Sequence, residues 1–455
     1  MLKICKLNKN KVIEQINNKI LDGIIASNSN LIDEIILSMN HNKILNCLSA
    51  SFCDKRKNNS FIPFHFIMAL AIAAKMKSRM SLTDIPYAIT DYRTLACLGY
   101  ASINTGDDGW LNEGTIRHLI GKYNAKELFD YYNQTIQNYV FKENNIEANI
   151  HILDCTNIRV NIDNENYEGS SLAHDHNTNE LFRGYKLATL RGIISDTGII
   201  EEIRFGTAKV HDLELSEEMI KTTNCFHDGD ILIMDRGFIS RELINYLKTN
   251  RNIDTYIPVR KNMEIFDLAV GIAETTEDWQ AHPTRKGQLI CHVNHVGEYW
   301  RSKNKKEDVD LNACVVWFQE TQNYAVFVTT DTSKSAKEII LTYQLRPEIE
   351  EDFRQLKDFW KLEDFHSTKL NIISFHIICV LFGYLFYQLY LTTEDGEKYI
   401  GKCLPVILKK YKEEFLNYLV LFSGEYFCVL SLKEFIEFRD SCTEDVKEYM
   451  LKFLR

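Results

Sequence analysis

The sequence predicts an α/β protein in which helices flank a mixed β-sheet, a helical module precedes the sheet and a β-rich segment interrupts it. Three observations predict this class. Apolar residues three and four positions apart dominate the first 145 residues. Alternating and β-branched runs begin near Asn149, and helical spacing returns at Ser335. The 455 residues suffice for about two or three domains, and their 45% hydrophobic content allows a sizeable core.

The central segment alternates in a recognisable order. Three strand-like runs, "NIHILDCTNIRVNI", "GYKLATLRGIISD" and "GIIEEIRFGTA", are followed by a helix, the apolar strand "DILIMD", a second helix and the strand "DTYIPV". This is the element order of the ribonuclease-H-like fold. The predicted division is a helical module at 1–145, the first part of the core at 146–259, a β-rich insertion at 260–335, the second part of the core at 336–395 and a C-terminal helical region at 396–455.

Charge and cysteine content narrow the function classes. A net charge of -10 argues mildly against a nucleic-acid partner, but a basic groove is compatible with an acidic body, and the first 60 residues hold nine Lys/Arg against five Asp/Glu. The 12 cysteines form no CxxC pair, and no secretory signal precedes them. Free thiols in a reducing cytoplasm are therefore expected.

One segment has the length and composition of a membrane span. The run "IISFHIICVLFGYLFYQLYL" covers Ile372 to Leu391 and carries Ser374, His376 and Gln388. A helix that is apolar nearly all round also forms the centre of large soluble proteins. We expect a buried core helix, with a membrane span as the alternative.

Three carboxylates stand out because of where they fall. Asp154 interrupts an apolar strand, and Asp235 closes the strand "DILIMD". Acids in such places are usually paired, capping or bound to a ligand. A helix from about Pro347 to Trp360 carries Glu350 beside an apolar face. The alternatives are backbone hydrogen bonds for Asp154, helix capping for Asp235 and a solvated charged face for Glu350.

A signature connects these acids to a known family. Tyr343, Arg346, Glu350 and Lys357 spell Tyr-x2-Arg-x3-Glu-x6-Lys. With the upstream motifs "LDCT" and "MDRGF", the chain resembles the DDE transposases of bacterial insertion sequences, in the group named after insertion sequence four. The resemblance covers roughly Ile150 to Leu391. It implies that Asp154, Asp235 and Glu350 form a catalytic triad that binds two Mg²⁺ or Mn²⁺ ions and cuts and joins DNA ends.

The resemblance also implies partners. They are double-stranded DNA, as terminal inverted repeats and target, and a second copy of the chain on that DNA, in the bacterial cytoplasm and at the nucleoid, without a membrane. The residues expected to bind DNA are Tyr343, Arg346, Lys357, Lys186 and Arg236. Two alternatives remain open: a transposase-derived DNA-binding protein without catalysis, and a metal-dependent nuclease without strand transfer.

Several neighbouring residues compete for roles. Glu348 and Asp352 lie two residues from Glu350 and so point to other faces of the helix, and Glu351 lies one step round it. None of the three fits the signature. His211 precedes Asp212, which is placed to cap the next helix, and His211 is expected to be structural or to support a catalytic residue indirectly. A base-stacking aromatic is expected in the insertion, which holds Trp279, Trp300 and Trp317.

Overall fold

The computed structural model describes residues 2–56, 62–104, 111–142, 147–175, 179–194, 197–303, 308–408 and 414–453. The chain divides into two units. The first unit contains Met1–Thr135 and Gln355–Arg455, and the second contains Ile136–Arg354. Each unit is built around its own β-sheet.

The described residues form strands and helices in the following order. The strands are β1 (Leu2–Leu7), β2 (Gly23–Ser29), β3 (Tyr100–Asn104), β4 (Ile150–Val160), β5 (Ser171–His174), β6 (Leu181–Ile194), β7 (Thr197–Thr207), β8 (Ile231–Met234), β9 (Asp254–Pro258), β10 (Gln280–Ala281), β11 (Gln288–Val293), β12 (Asn312–Phe318), β13 (Asn323–Thr329), β14 (Glu414–Ser423) and β15 (Tyr426–Ser431). The α-helices are α1 (Lys9–Asn17), α2 (Leu31–His41), α3 (Ile44–Ala50), α4 (Phe64–Met76), α5 (Tyr92–Cys97), α6 (Glu113–Ile120), α7 (Ala125–Thr135), α8 (Asp212–Thr222), α9 (Arg241–Arg251), α10 (Glu264–Thr276), α11 (Ala336–Tyr343), α12 (Pro347–Asp358), α13 (Leu370–Leu391), α14 (Leu404–Leu408), α15 (Leu432–Ser441) and α16 (Glu444–Leu451).

The second unit contains a mixed sheet in the order β10-β11-β12-β13-β9-β8-β4-β6-β5, and β7 also pairs with β6. Strands β4, β8 and β9 are parallel, whereas β6 and β7 run antiparallel to their neighbours. The predicted alternation of strands and helices between 150 and 259 is present, with the short strand β5 added. Strand β8 is nearly all apolar because it lies inside the sheet between β4 and β9.

The predicted insertion is β-rich, and its strands extend the same sheet. Strand β13 pairs antiparallel with β9 through Phe327 opposite Pro258 and Thr329 opposite Tyr256. Strands β12, β11 and β10 then continue outward as an antiparallel meander. The edge that β9 would otherwise expose is thus covered within the unit.

A buried charged cluster lies at the amino ends of β4 and β8. The ring of His151 is fully buried, with Nδ1 2.7 Å from Glu201 Oε2 and Nε2 3.1 Å from Asp230 Oδ2. Burial opposes the positive charge of the ring, but the two carboxylates outweigh it and raise the pKa of His151 to about 9. His151 is therefore an ion-paired cation in the core at neutral pH.

The first unit differs from the predicted helical composition of 1–145 and 396–455. Besides helices, these segments form a five-stranded sheet in the order β2-β14-β15-β1-β3. Strand β1 pairs parallel with β15, and β2 pairs antiparallel with β14. The sequence prediction was wrong here because the pairing partners are at opposite ends of the chain, where local periodicity carries no information about them.

Helix α13 is the apolar segment that matched a membrane span by length. In the structure, 83% of its most apolar window is buried within the protein. Gly383 lets the helix backbone approach Trp360 and Met76 closely, since a Cβ at this position would lie 3.0 Å from the Trp360 ring and 3.2 Å from Met76. The helix therefore has the burial of a core helix in the first unit.

Candidate active site

The register of two parallel strands places Asp154 beside Asp235. Leu153 on β4 pairs with Met234 on β8, so the next residue on each strand lies at the same level of the sheet. Asp235 follows the end of β8 and precedes a 3-10 turn, but its side chain makes no capping hydrogen bond. Asp154 Oδ1 accepts a 2.8 Å hydrogen bond from the Cys155 backbone N–H. The two carboxylates thus share one edge of the parallel strands, where ligand sites gather in open α/β sheets.

The third carboxylate comes from helix α12. The helix begins at Pro347. Proline is favourable there because a backbone N–H at the first helical position would make no hydrogen bond within the helix. Ile349, Phe353 and Leu356 are buried and hold the apolar face of the helix against the protein. Glu350, with a 55% exposed side chain, lies on a neighbouring face.

Arg346 joins the three carboxylates. Its Nη2 lies 2.8 Å from Asp154 Oδ2 and 3.7 Å from Asp235 Oδ2, and its Nη1 donates to Glu350 Oε1, one helical turn away. The side chain of Arg346 is 16% exposed. Its Nε is buried without a hydrogen-bond partner among the described residues. The structure therefore brings Asp154, Asp235 and Glu350 together around one guanidinium, as the sequence predicted for the acids.

The electrostatics of the group follow from burial and from the shared cation. Burial raises the pKa of Asp154 to about 7, although Arg346 and the Cys155 N–H act in the opposite direction. Burial opposes the charge of Arg346, but the carboxylates outweigh it and hold the guanidinium pKa above its usual value. Asp154 is therefore an acid that needs a nearby cation to stay ionised.

The carboxylates open into a cavity of about 1000 Å³ in the second unit. The predicted DNA-binding residues Lys186, Arg236 and Arg346 line it. Lys209 and Arg260 also line it, and sequence reasoning missed both because they lie in loops without a motif. Among the described residues, Lys209 and Arg236 have no ion-pair partner. The cavity thus places available cations beside three acids on an acidic protein.

Lys186 and His211 have local partners. Lys186 Nζ donates to Val210 O and to Asp212 Oδ1, both at 2.6 Å. The prediction that Asp212 caps the following helix was wrong, because the cap is His211, whose Nδ1 accepts from the Leu213 N–H at 3.3 Å. His211 thus has the structural role expected of it, and Asp212 instead holds Lys186 at the cavity wall.

The two remaining signature residues, Tyr343 and Lys357, lie beside Phe327 and Glu363 respectively. Tyr343 ends helix α11 and packs on Phe327 with ring centroids 4.7 Å apart. Burial raises the pKa of its phenol above the usual value, so it stays protonated. Lys357 lies two turns beyond Glu350 on helix α12, with Nζ 3.8 Å from Glu363 Oε1. Lys357 belongs to the first unit by the division of the chain.

The tryptophans of the insertion fall in two places. Trp279 and Trp317 lie 5.7 Å apart between ring centroids, and Tyr324 packs beside both. All three are half-buried. Trp300 instead packs under the guanidinium of Arg241 at 5.7 Å. The pair Trp279 and Trp317 therefore forms the larger aromatic surface of the insertion.

The three carboxylates supply oxygen donors of the kind that bind divalent metal ions. Within the described part of the chain, no group of three Asp, Glu, His or Cys side chains is already arranged around a metal position. The three carboxylates nevertheless surround a single positive charge, that of Arg346. Carboxylate oxygens are the ligands that Mg²⁺ prefers. The chemistry of the site therefore fits a divalent cation, provided that the guanidinium gives up its place.

Fold and site define a class: an α/β protein with three acids from two strands and a helix beside a cavity lined by cations. The family model of the transposase DDE domain matches residues 147–386, more than half of the 455 residues. The chain belongs to this transposase family. No curated protein sequence matches the chain closely enough to add a relative.

Proposed function

We propose that this transposase cuts and joins the ends of an insertion sequence by divalent-metal-dependent phosphodiester transfer, with Asp154, Asp235 and Glu350 as its catalytic acids. The observation that carries the proposal is the convergence of these three carboxylates on Arg346 at the wall of the cavity. The sheet order β7-β6-β4-β8-β9 supports a ribonuclease-H-like core, and the four signature residues support the insertion-sequence-four group.

The acids would hold two Mg²⁺ or Mn²⁺ ions. Bound there, divalent ions activate the attacking oxygen and stabilise the leaving oxygen of a phosphodiester. Asp154 and Asp235 would offer carboxylate oxygens from the ends of two paired strands, and Glu350 would offer its carboxylate from helix α12. Because these acids would then be neutralised by the ions, Arg346 becomes available to bind phosphate.

The DNA is held by the chain's own cations. Arg346 has one buried N–H without a partner, and a phosphate oxygen would satisfy it. Arg236 and Lys209 extend the phosphate path along the cavity. Lys186 keeps one of three N–H donors for DNA, since two already bind Val210 and Asp212. Tyr343 and Lys357 are proposed to contact DNA near the cut, and Trp279 or Trp317 to stack a base.

Two DNA ends must meet for transposition, so we propose that the chain acts as a homodimer on double-stranded DNA. The substrates are terminal inverted repeats and target DNA, and the site of action is the bacterial cytoplasm and nucleoid.

The test is cleavage of a labelled duplex that carries the element's own terminal repeat, with Mg²⁺ or Mn²⁺. Wild type is compared with Glu350→Gln, which keeps the shape and removes the charge. The matched control is Glu351→Gln, because Glu351 is on the same helix but pairs with Arg354. We expect wild type and Glu351→Gln to cut at the repeat boundary and Glu350→Gln to be inactive.

The other outcomes separate the alternatives. Binding of the repeat without cleavage by any of the three proteins would indicate a DNA-binding derivative. Cleavage without joining of the released 3′ end to target DNA would indicate a nuclease. Equal cleavage by all three proteins would show that Glu350 is not a catalytic acid.

A further inference from the structure

The acids on either side of Glu350 contact a buried arginine on the sheet. Arg191 on β6 donates from Nε to Asp352 Oδ2 at 2.5 Å, and its Nη1 lies 2.9 Å from Glu348 Oε2. Asp352 is buried, and the side chain of Arg191 is 5% exposed. Since Glu348 and Asp352 lie two residues before and after Glu350, they face away from it around the helix. Glu348 and Asp352, which are not part of the signature, therefore connect helix α12 to the sheet through Arg191.

The sheet is shaped to receive this arginine. The pairing of β6 and β7 shifts between Leu190 and Arg191, because Leu190 pairs with Glu202 and Arg191 with Ile200. The resulting bulge leaves Glu201 as the extra residue, and bulges re-aim the side chains beside them. Gly198 provides the space, since a Cβ there would lie 2.0 Å from the guanidinium carbon of Arg191.

Arg191 and Asp154 lie on the same face of the sheet. Arg191 is opposite Ile152 on β4, and Asp154 is two residues further along that strand. Residues directly opposite each other, and residues two apart on one strand, share a face. The helix therefore meets one sheet face at two points: Asp352 contacts Arg191, and Glu350 meets Asp154 through Arg346.

We propose that Arg191 is a positioning residue that sets the rotation and height of helix α12, so that the Glu350 carboxylate reaches the metal site formed with Asp154 and Asp235. A planar guanidinium that binds two carboxylates fixes orientation as well as distance. A buried ion pair adds little net stability compared with apolar packing, so orientation is the property that this pair supplies. Because the role matters only if Glu350 is a metal ligand, it rests on the function proposed above.

The test measures the Mn²⁺ affinity of the full chain by calorimetry, together with its thermal stability. The variants are Arg191→Met, Arg191→Lys, Glu350→Gln and the double variant Arg191→Met/Glu350→Gln. Arg183→Met is the matched control, because Arg183 is a buried arginine on the same strand whose ion-pair partner is Glu165 instead of the helix. If Arg191→Met does not fold, Asp352→Asn replaces it, since that change loosens the same contact and keeps the side-chain volume.

We expect Arg191→Met to weaken Mn²⁺ binding by about 10- to 100-fold, the usual effect of removing a group that orients a ligand. Arg191→Lys should give an intermediate affinity, and Arg183→Met that of wild type. The double variant should bind no more weakly than Glu350→Gln alone, because Arg191 acts through Glu350. That absence of a further loss is what a merely structural role would not produce.

Three results would overturn the inference. Unchanged Mn²⁺ affinity in folded Arg191→Met, with Glu350→Gln weakened, would overturn the role of Arg191 and leave the proposed function intact. A further loss in the double variant would show that Arg191 acts on the fold in general. If Glu350→Gln itself binds Mn²⁺ like wild type, the proposed function fails and the positioning role fails with it.

Discussion

Arg346 and Asp154 are 192 residues apart in the sequence, and their side chains meet at 2.8 Å. The same guanidinium nitrogen lies 3.7 Å from Asp235, so one cation serves both strand-borne acids. The signature arginine was predicted to bind DNA phosphate. In the structure, its guanidinium is the counter-ion that the three acids share.

Replacing this counter-ion should separate stability from metal affinity. In Arg346→Met, three carboxylates lose their common cation, so the metal-free protein should lose about 3 kcal/mol of unfolding free energy. Mn²⁺ affinity should rise at the same time, because the ion no longer competes with the guanidinium. Denaturant unfolding and calorimetric Mn²⁺ titration measure the two effects.

Arg354→Met is the control for Arg346→Met. Arg354 is on the same helix but makes an exposed pair with Glu351, and such pairs contribute little. Both quantities should stay near wild type. A fall in Mn²⁺ affinity in Arg346→Met would show that the arginine helps to build the metal site and does not compete for it.

If the cations that line the cavity bind DNA as proposed, the affinity for DNA should depend on salt concentration. Lys209→Gln should weaken binding to a duplex regardless of sequence and reduce the slope of log K against log salt by about 1, since one phosphate contact is lost. Fluorescence anisotropy over a series of salt concentrations measures this slope. Lys337→Gln, an exposed lysine of helix α11 outside the cavity, should leave it unchanged. Identical slopes for both variants would remove Lys209 from the DNA path.

The buried cluster at His151 predicts a pH dependence of stability. Because its folded pKa of about 9 exceeds the unfolded value, the charged ring stabilises fully below about pH 6.5. That contribution, about 3 kcal/mol, is lost as the pH rises through 9. Urea unfolding should therefore show a large deficit for His151→Gln at pH 6.5 and a small one above pH 9.

His227→Gln is the control for the His151 experiment. His227 Nδ1 lies 3.6 Å from the same Asp230, but its side chain is 52% exposed. Its effect should stay within about 0.5 kcal/mol at both pH values. A pH-independent deficit in His151→Gln would mean that packing and not charge explains the cluster.

A substitution at Gly198 tests whether the space beside the Arg191 guanidinium is needed, and it leaves Arg191 itself unchanged. In Gly198→Ala, the new methyl group would meet the guanidinium at 2.0 Å and displace it from Asp352. We expect lower thermal stability and a loss of Mn²⁺ affinity like that of Arg191→Met. Gly271→Ala is the control, since nothing lies within 4 Å of a Cβ there and helix α10 should gain up to about 1 kcal/mol. Wild-type Mn²⁺ affinity in Gly198→Ala would argue that the space at Gly198 is not needed to position Arg191.

The sequence predicted those parts of the fold that local pattern encodes. The helix expected from about Pro347 to Trp360 runs from Pro347 to Asp358, and the apolar run before Asp235 is strand β8. Asp154 is conspicuous in the sequence because a buried strand rarely tolerates an acid without a partner. In each case the prediction depends only on whether a residue matches the polarity of its neighbours in the sequence. It needs no knowledge of contacts with distant segments.

The rest depends on contacts between distant segments. Three features arise only when the sheet and helix α12 assemble. They are the pairing of Arg346 with Asp154, the space that Gly198 leaves for Arg191, and the position of Lys209 in the cavity. Glu348 and Asp352 do not fit the signature, and the sequence indicates no role for them, whereas in the structure both pair with Arg191. Periodicity shows which face a residue occupies, but not what lies opposite it.

The sheet of the first unit has a consequence for the timing of synthesis. Strand β1 lies between β3 and β15 in this sheet, and its Lys6 pairs with Tyr426 of β15. At ribosomal rates, the partner emerges on the order of tens of seconds after β1. The second unit, continuous from Ile136 to Arg354, is fully translated before then. Each newly made chain therefore passes through a period in which its second unit is completely synthesised while β1 has only β3 as a possible neighbour and still lacks β15.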